Sequence, residues 1–221
     1  MSLLVKICGV TTPDAIDAAV SAGADMIGLV FFPRSPRHLS ITAARSLADR
    51  AAGRARVVAL TVDATDEDLE TIVAGLSPDL LQLHGEETPA RVAAVRAAFS
   101  LPVMKAVGVA DADDLAGLDA YAAVSDMLLV DAKPPKTADA LPGGNGLTFD
   151  WRLAAGLDPG RPVMLSGGLH PGNVAEAVRL TRLSGVDVSS GVESAPGRKD
   201  PDRIRAFVAA ARSAQGEGER E

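Results

Sequence analysis

The stretch LLVKICGVTTPDAIDAAVSAG, Leu3–Gly23, contains the structural unit that the rest of the chain repeats. It begins with a short apolar run, turns at Cys8-Gly9, and continues as an Ala-rich segment that opens with Thr12-Pro13. A threonine followed by proline is typical of a helix N-cap and first turn, and a glycine such as Gly23 is typical of a helix C-terminus. The stretch therefore predicts a buried strand followed by a helix.

The same strand-and-helix unit recurs along the 221 residues. The eight predicted strands are Leu3–Cys8, Met26–Phe32, Arg56–Val62, Leu80–His84, Val103–Val109, Asp126–Asp131, Val163–Ser166 and Val186–Ser190. Nearly continuous apolar runs are typical of parallel strands covered on both faces, and alternation with helices indicates right-handed crossovers. No G-x-G-x-x-G follows the first strand, which disfavours an open dinucleotide-binding sheet. We predict an α/β fold, a closed (β/α)8 TIM barrel in a single domain.

The domain boundaries follow from composition. We predict that residues 1–212 form the barrel and that the polar, Gly- and Glu-rich residues 213–221 form a flexible C-terminal tail. Hydrophobic residues make up 47% of the chain and aromatic residues only 3%, so Ala, Val and Leu must fill most of the core.

Charge and cysteine content restrict the partners. The net charge of −7 argues against nucleic acid or an anionic membrane surface as the main partner, but it is compatible with a small anionic substrate held at a local positive site. No apolar run reaches the roughly 18 residues of a membrane helix. The chain has one cysteine, so it forms no internal disulfide, and we expect a cytoplasmic protein. Monomer and homodimer both remain open.

In such barrels the chemistry lies at the C-terminal ends of the strands. Side chains alternate along a strand, so Lys6 and Cys8 share one face, which we predict points into the barrel. A buried ammonium needs a partner, and we predict that Lys6 pairs with Asp187 of the last strand. The same ammonium would favour the thiolate of Cys8. Inert packing of a lone cysteine is the alternative, and its place before a glycine at a strand end disfavours it.

Three other strand ends carry polar candidates. The loop Phe32–His38 presents Arg37, which suits fork-like recognition of a carboxylate or phosphate, or is simply a solvated cation. His84 ends the fourth strand, and because no second histidine lies at ligand spacing, we predict hydrogen-bonding support rather than a metal site. Asp131 follows three apolar residues, which indicates either a general acid or a carboxylate satisfied by neighbouring backbone.

Glycines follow the last two strands. Gly167-Gly168 comes after the seventh and Ser190-Gly191 after the eighth, where backbone amides can approach an anion closely. This is the usual phosphate position in such barrels, so we predict phosphate binding there. The long stretch Lys133–Asp150, which contains GGNG, predicts a mobile lid.

Taken together, the motifs KICG, FFPRSPRHL, QLHG, LLVDA, GGNGLTFDW, LSGGLHPGNV and VDVSSGVE resemble those of the phosphoribosylanthranilate isomerases of tryptophan biosynthesis. The resemblance runs in order from Lys6 to about Phe207. It implies a phosphorylated aminosugar substrate: N-(5-phosphoribosyl)anthranilate would become 1-(2-carboxyphenylamino)-1-deoxyribulose 5-phosphate by an Amadori rearrangement. It also implies that neither a cofactor nor a metal is needed.

The resemblance further implies a role for each candidate residue. Cys8 would be the general base, Asp131 the general acid, and Arg37 the ligand of the anthranilate portion. The phosphate would lie at Gly167, Gly168, Ser190 and Gly191, with Lys6, His84 and Asp187 in support. One departure is Leu147, since the family often has lysine at that place in its glycine-rich loop. This puts any contribution of that position to the lid in doubt.

Three other functions remain open from the residues. Lys133 lies just past the sixth strand, where some barrel aldolases place a Schiff-base lysine. A non-catalytic phosphosugar-binding barrel would keep the glycines yet need neither Cys8 nor Asp131. A bifunctional isomerase that also takes the histidine-pathway aminoaldose is expected to have a half-barrel repeat and an aspartate at the end of the first strand, where this chain has Cys8.

Overall fold

Eight parallel strands close into one barrel in the computed structural model, which describes residues 2–133, 143, 144 and 146–218. The strands are β1 (Leu4–Cys8), β2 (Met26–Phe31), β3 (Arg56–Thr61), β4 (Leu80–Leu83), β5 (Val103–Val109), β6 (Met127–Ala132), β7 (Val163–Leu165) and β8 (Gly185–Val188). Each strand pairs with the next, and β8 pairs with β1 to close the sheet. The predicted (β/α)8 barrel is confirmed.

Helices surround the barrel and connect its strands. They are α1 (Pro13–Ala22), α2 (Ile41–Ala51), α3 (Asp66–Leu76), α4 (Pro89–Phe99), α5 (Leu118–Ala122), α6 (Val174–Thr181) and α7 (Pro201–Gly218). As the sequence indicates, the Thr12 side chain caps α1 by accepting from the amide of Ala15, and Gly23 ends that helix in the left-handed conformation. None of the helices in the described ranges is long and apolar enough to cross a membrane.

Two connections have less helix than an Ala-rich sequence suggests. Before β6, a 3-10 helix at Ala112–Leu115 precedes the short α5. Before β7, the described residues form one helix, a 3-10 helix at Trp151–Ala154. In both cases an aspartate, Asp111 or Asp150, accepts a hydrogen bond from the amide two residues ahead. Such local side-chain bonds compete with a longer α-helix.

The interior of the barrel changes character along its axis. Its lower part is apolar and uses flexible methionines to fill space; the buried cluster consists of Met26, Val58, Leu80, Met104, Ala106, Met127, Leu129 and Met164. Nearer the C-terminal ends of the strands, the inward positions are taken by Cys8, Gln82 and Asp131, all buried. Polar side chains thus enter the barrel where parallel strands end, which is where a site is expected.

The chain end departs from the predicted boundary at residue 212. Helix α7 continues to Gly218, and Ala214 extends the buried stripe formed by Ile204, Phe207 and Ala211. The Gln215 side chain accepts a hydrogen bond of 2.9 Å from the amide of Leu3. The predicted tail therefore begins too early, because the helical spacing of the apolar positions outweighs the polar composition. Residues 219–221 lie outside the described residues.

Candidate active site

A pocket opens at the C-terminal ends of the strands, and it brings together candidates from distant parts of the sequence. It is lined by Cys8, Arg37, His84, Asp131, Gly167, Gly168, Asp187, Ser190 and Gly191. Its walls also include the apolar side chains of Val30, Phe32 and Leu60. The pocket thus combines an apolar wall with a few convergent polar groups, as small-molecule sites do. Across the described residues, no cluster of His, Cys, Asp or Glu is arranged to hold a metal ion.

A buried ion pair lies beneath the thiol of Cys8. The Lys6 Nζ atom is 2.8 Å from Asp187 Oδ1, and both side chains are buried, which confirms the predicted pair. Burial alone would lower the pKa of Lys6, but Asp187 and Cys8 outweigh burial and raise it above the usual lysine range. Lys6 is therefore a permanent ammonium close to the base of the pocket.

The pKa of the Cys8 thiol depends on burial as well as on the neighbouring charges. Burial raises the pKa of Cys8 above its ordinary value, and Asp187 acts in the same sense. The Lys6 ammonium does lower the pKa of the thiol, as predicted, but by less than burial raises it. The predicted effect of the ammonium is therefore confirmed, and burial decides the net direction of the pKa change.

A glycine on the neighbouring strand leaves the space that the Cys8 sulfur occupies. Gly28 of β2 lies opposite Cys8 in the strand register. A Cβ atom added to Gly28 would be 2.9 Å from Cys8 Sγ, closer than real side chains approach. The glycine therefore fixes how far the thiol can sit back into the barrel wall.

The carboxyl group of Asp131 accepts one backbone hydrogen bond and lies beside His84. Asp131 Oδ1 accepts a hydrogen bond of 2.8 Å from the Ala132 amide, and Oδ2 lies 3.4 Å from His84 Nε2. His84 Nδ1 is 2.8 Å from Gln82 Nε2. With the Gln82 amide donating to Nδ1, the neutral imidazole carries its proton on Nε2, toward Asp131. His84 therefore contacts the carboxyl group rather than a metal.

Arg37 is buried, so the alternative of a solvated loop cation is wrong. Its Nε and Nη2 atoms donate to the two carboxylate oxygens of Glu193 at 2.7 and 2.9 Å. Nη2 also donates to the carbonyl of Gly144 at 3.2 Å. Gly9 and Gly144 pack directly against the side chain, and a Cβ atom on either would overlap it. The guanidinium is thus fixed at the pocket wall.

Two functional candidates, Glu193 and Lys199, were not singled out from the sequence. They lie on a small hairpin formed by β9 (Glu193–Ala195) and β10 (Arg198–Lys199), which follows β8. The turn residues Pro196-Gly197 signal the hairpin. The sequence has no signal that these charges are buried, because a Glu and a Lys beside a turn are usually solvated.

Glycines in the loops after β7 and β8 pack closely against the preceding loops. A Cβ atom on Gly168 would lie 2.0 Å from Thr148 Cγ2, and one on Gly191 would lie 1.8 Å from the Leu169 carbonyl oxygen. Gly167 and Gly168 both have positive φ angles. In the part of the chain that the structure describes, their amides donate to no protein acceptor. These two amides remain available to an anion in the pocket.

Lys133 and the glycine-rich stretch complete the predicted set. Lys133 forms an ion pair with Asp114 outside the pocket, and this hydrogen bond raises the pKa of Lys133. A Schiff-base lysine needs a neutral amine, so the aldolase alternative is disfavoured.

Leu147 lines the pocket where the family often has lysine. The predicted mobile lid falls largely on residues 134–142 and 145, which lie outside the described residues.

Comparisons with known proteins identify the family of the chain. Residues 5–210 match the model of the family N-(5'phosphoribosyl)anthranilate (PRA) isomerase. The chain is 60% identical over 216 residues to an N-(5'-phosphoribosyl)anthranilate isomerase of Rhodopseudomonas palustris (strain HaA2), covering 97% of this chain and 98% of that protein. It is 60% identical over 215 residues to the enzyme of the same name from Bradyrhizobium sp. (strain ORS 278), covering 97% and 98%.

Solved structures give the same result. The phosphoribosyl anthranilate isomerase of Thermotoga maritima aligns with a TM-score of 0.85 at 35% identity, over 96% of this chain and 100% of that one. A phosphoribosyl anthranilate isomerase in complex with reduced 1-(o-carboxyphenylamino)-1-deoxyribulose 5-phosphate aligns with a TM-score of 0.80 at 32% identity, over 96% and 100%. Family model, sequence relatives and solved structures coincide over nearly the whole chain, which therefore belongs to the N-(5'-phosphoribosyl)anthranilate isomerase family.

Proposed function

We propose that this chain, an aldose–ketose isomerase of L-tryptophan biosynthesis, converts N-(5-phosphoribosyl)anthranilate to 1-(2-carboxyphenylamino)-1-deoxyribulose 5-phosphate with Cys8 as base and Asp131 as acid. One observation supports this most strongly: the thiol and the carboxyl group line one pocket from β1 and β6, on separate strands of the barrel. A relative binds the reduced form of that product, which carries the same aryl carboxylate and phosphate.

Proton transfer by these two groups accounts for the rearrangement. Asp131 gives its proton to the furanose ring oxygen, and the ring opens to a Schiff base between C1′ and the anthranilate nitrogen. Cys8, as thiolate, takes the proton from C2′, which leaves an enolamine. The enolamine then tautomerises: C1′ gains a proton as the C2′ hydroxyl becomes a carbonyl. The electrons move within the substrate, so no external oxidant or reductant enters the balance.

Two anion sites would fix the reacting carbon between them. The aryl carboxylate would lie at Arg37, whose planar fork suits a carboxylate. The phosphate would lie at Gly167, Gly168, Ser190 and Gly191. Holding both ends of the substrate limits its freedom and places C1′ and C2′ between the thiol and the carboxyl group, which is the source of much of the rate enhancement in such sites.

A barrel that only binds phosphosugars is the second candidate. It would keep the glycines after β7 and β8, but nothing in it would require a thiol beside a buried Lys6 or a carboxyl group at Asp131. The presence of both at the pocket favours catalysis.

The deciding experiment is an isomerisation assay on freshly generated N-(5-phosphoribosyl)anthranilate, followed through the loss of its fluorescence. We expect turnover by the wild-type chain, and a loss of most of the rate in Cys8→Ala and in Asp131→Ala, with folding unchanged in circular dichroism. A Cys8→Ala protein that turns over like the wild type would refute the assignment of the base. Wild-type protein that binds substrate without converting it would favour the binding barrel.

We also propose a cytoplasmic location, supported by the single cysteine, which is free. Monomer and homodimer are distinguished by sedimentation velocity. The solved relative from Thermotoga maritima is described as dimeric, with monomers generated from it.

A further inference from the structure

A buried carboxylate lies between two cations beside the pocket. Glu193 Oε1 is 2.7 Å from Arg37 Nε and 2.7 Å from Lys199 Nζ. All three side chains are almost completely buried. Two cations around one anion leave a net positive charge of one, in a place where a dianionic or trianionic phosphosugar is expected to bind. Burying a charge cluster of this kind costs free energy of desolvation even when the charges are paired, so its presence beside the pocket suggests a functional role.

The geometry of Arg37 indicates what that role is. Glu193 takes the side edge of the guanidinium, Nε with Nη2, in a bidentate bond. Among the described residues, Nη1 has no acceptor, and Nη2 retains only the longer bond to the Gly144 carbonyl. In the described part of the chain, Nη1 therefore keeps its N–H groups for another anion, with Gly144 packed beside it. A guanidinium held at one edge cannot rotate, so its free N–H groups have a fixed direction.

Lys199 keeps the carboxylate in place. Besides Glu193, its ammonium donates to the Ser189 carbonyl at 3.0 Å and to Ser189 Oγ at 3.2 Å. Ser189 comes directly before Ser190-Gly191, the predicted phosphate turn. Burial alone would raise the pKa of Glu193, but Arg37 and Lys199 together hold it below its usual range. Glu193 is thus an anion in the folded protein, tied on one side to Arg37 and on the other to the turn.

From these contacts we propose that Glu193 is a positioning residue for substrate recognition: it orients Arg37 toward the aryl carboxylate, and Lys199 anchors it to the phosphate turn. The proposal rests on the proposed function, because it takes the substrate to carry an aryl carboxylate. Glu193 itself does not touch substrate. Its effect appears as selectivity for ligands that carry the carboxylate.

The test compares two ligands by titration calorimetry, so that it does not depend on turnover. One is reduced 1-(o-carboxyphenylamino)-1-deoxyribulose 5-phosphate, and the other is the same compound without the aryl carboxylate. We expect the wild type to prefer the carboxylated ligand by about 100-fold, as is typical of a buried, hydrogen-bonded charge pair. In Glu193→Gln the preference should fall to below about tenfold, because Arg37 loses its fixed orientation. Arg37→Met alone should also reduce the preference for the carboxylated ligand. The double variant Arg37→Met/Glu193→Gln should show the same preference as Arg37→Met.

Glu87→Gln is the matched control. Glu87 is equally buried and is paired with a buried lysine, Lys105, at 2.7 Å, but it lies outside the pocket. It should lose stability as Glu193→Gln does, yet keep the wild-type preference. Glu193→Asp is a second variant; it keeps the charge but cannot span both cations, and an intermediate preference is expected.

Each outcome of this comparison has one meaning. A full preference in folded Glu193→Gln, or an equal loss in Glu87→Gln, overturns the positioning role. A further loss on adding Glu193→Gln to Arg37→Met also overturns it, since Glu193 would then act without Arg37. Wild-type protein that binds neither ligand overturns the proposed function instead, so the two failures are distinguishable.

Discussion

Replacing Gly28 by alanine tests the role of Cys8 by moving its sulfur without removing it. The added methyl group would start 2.9 Å from Sγ, whereas ordinary contact begins at 3.4 Å. It would also start 3.1 Å from the Cα atom of Cys8, which is again shorter than an ordinary contact. The Cys8 side chain must therefore move away from Gly28. Gly28 has no left-handed backbone, so alanine is accepted there without strain of its own.

The distances give the expected size of the effect. The sulfur must retreat by about 0.5 Å, and a misplacement of about 1 Å at a reacting group can cost about 100-fold in rate. About half that distance predicts roughly a tenfold loss, which corresponds to about 1.4 kcal/mol of activation free energy. Overpacking of the barrel wall is expected to cost about 1–3 kcal/mol of stability.

The assay is the single-turnover rate at saturating enzyme, together with urea unfolding. Gly108→Ala is the control, because Gly108 lies opposite Asp131 in the register of β5 and β6, and its added Cβ would meet Lys133 atoms only at 3.5 Å or more. That variant should keep the wild-type rate. If a crystal structure of Gly28→Ala shows the sulfur displaced while the rate is unchanged, Cys8 is not the base.

Three further predictions concern buried charge. The first concerns the single thiol of the chain, whose pKa is raised by burial. The rate of its alkylation by iodoacetamide should therefore still rise about tenfold per pH unit up to about pH 8.5, and a rate that stops rising at a lower pH would contradict the effect of burial. The pH midpoint of alkylation should shift downward in Asp187→Asn, which removes an anion that raises the pKa of the thiol, and upward in Lys6→Met; unchanged midpoints would show that neither charge reaches the sulfur. Lys105→Met should lower the free energy of unfolding in urea by about 3–5 kcal/mol, because it leaves Glu87 buried without its cation, and it should leave kcat/KM unchanged. An unchanged free energy of unfolding would show that water reaches Glu87.

Local patterns of the sequence are enough to predict the barrel and its active face. The strand ends were recognisable because buried parallel strands are continuous apolar runs, and any polar residue that closes one stands out. Cys8, His84 and Asp131 could be placed this way, and alternation along the first strand also predicts the pair between Lys6 and Asp187. In each case the signal is local, and the fold class supplies the proximity.

What the sequence could not predict depends on three-dimensional burial. Glu193 and Lys199 lie in a charged segment beside a Pro-Gly turn, a pattern that describes a solvated hairpin equally well. Only the packing of Arg37 onto the hairpin buries them. The same holds for the sign of the pKa change at Cys8: the sequence shows the neighbouring ammonium, whereas the desolvation that outweighs it comes from the walls of the closed barrel.

The buried ion pair beneath Cys8 has an effect on the thiol that neither partner has alone. Burial decides the net direction of the pKa change at the thiol, while Lys6 lowers that pKa and Asp187 offsets part of the lowering. The resulting thiolate is scarce at neutral pH but strongly basic, since basicity rises with pKa. Lys6 without Asp187 would give more thiolate but a weaker base. For Cys8 in its proposed role as the base, Asp187 therefore does more than pair with a buried lysine, because it limits how far the ammonium lowers the pKa of the thiol.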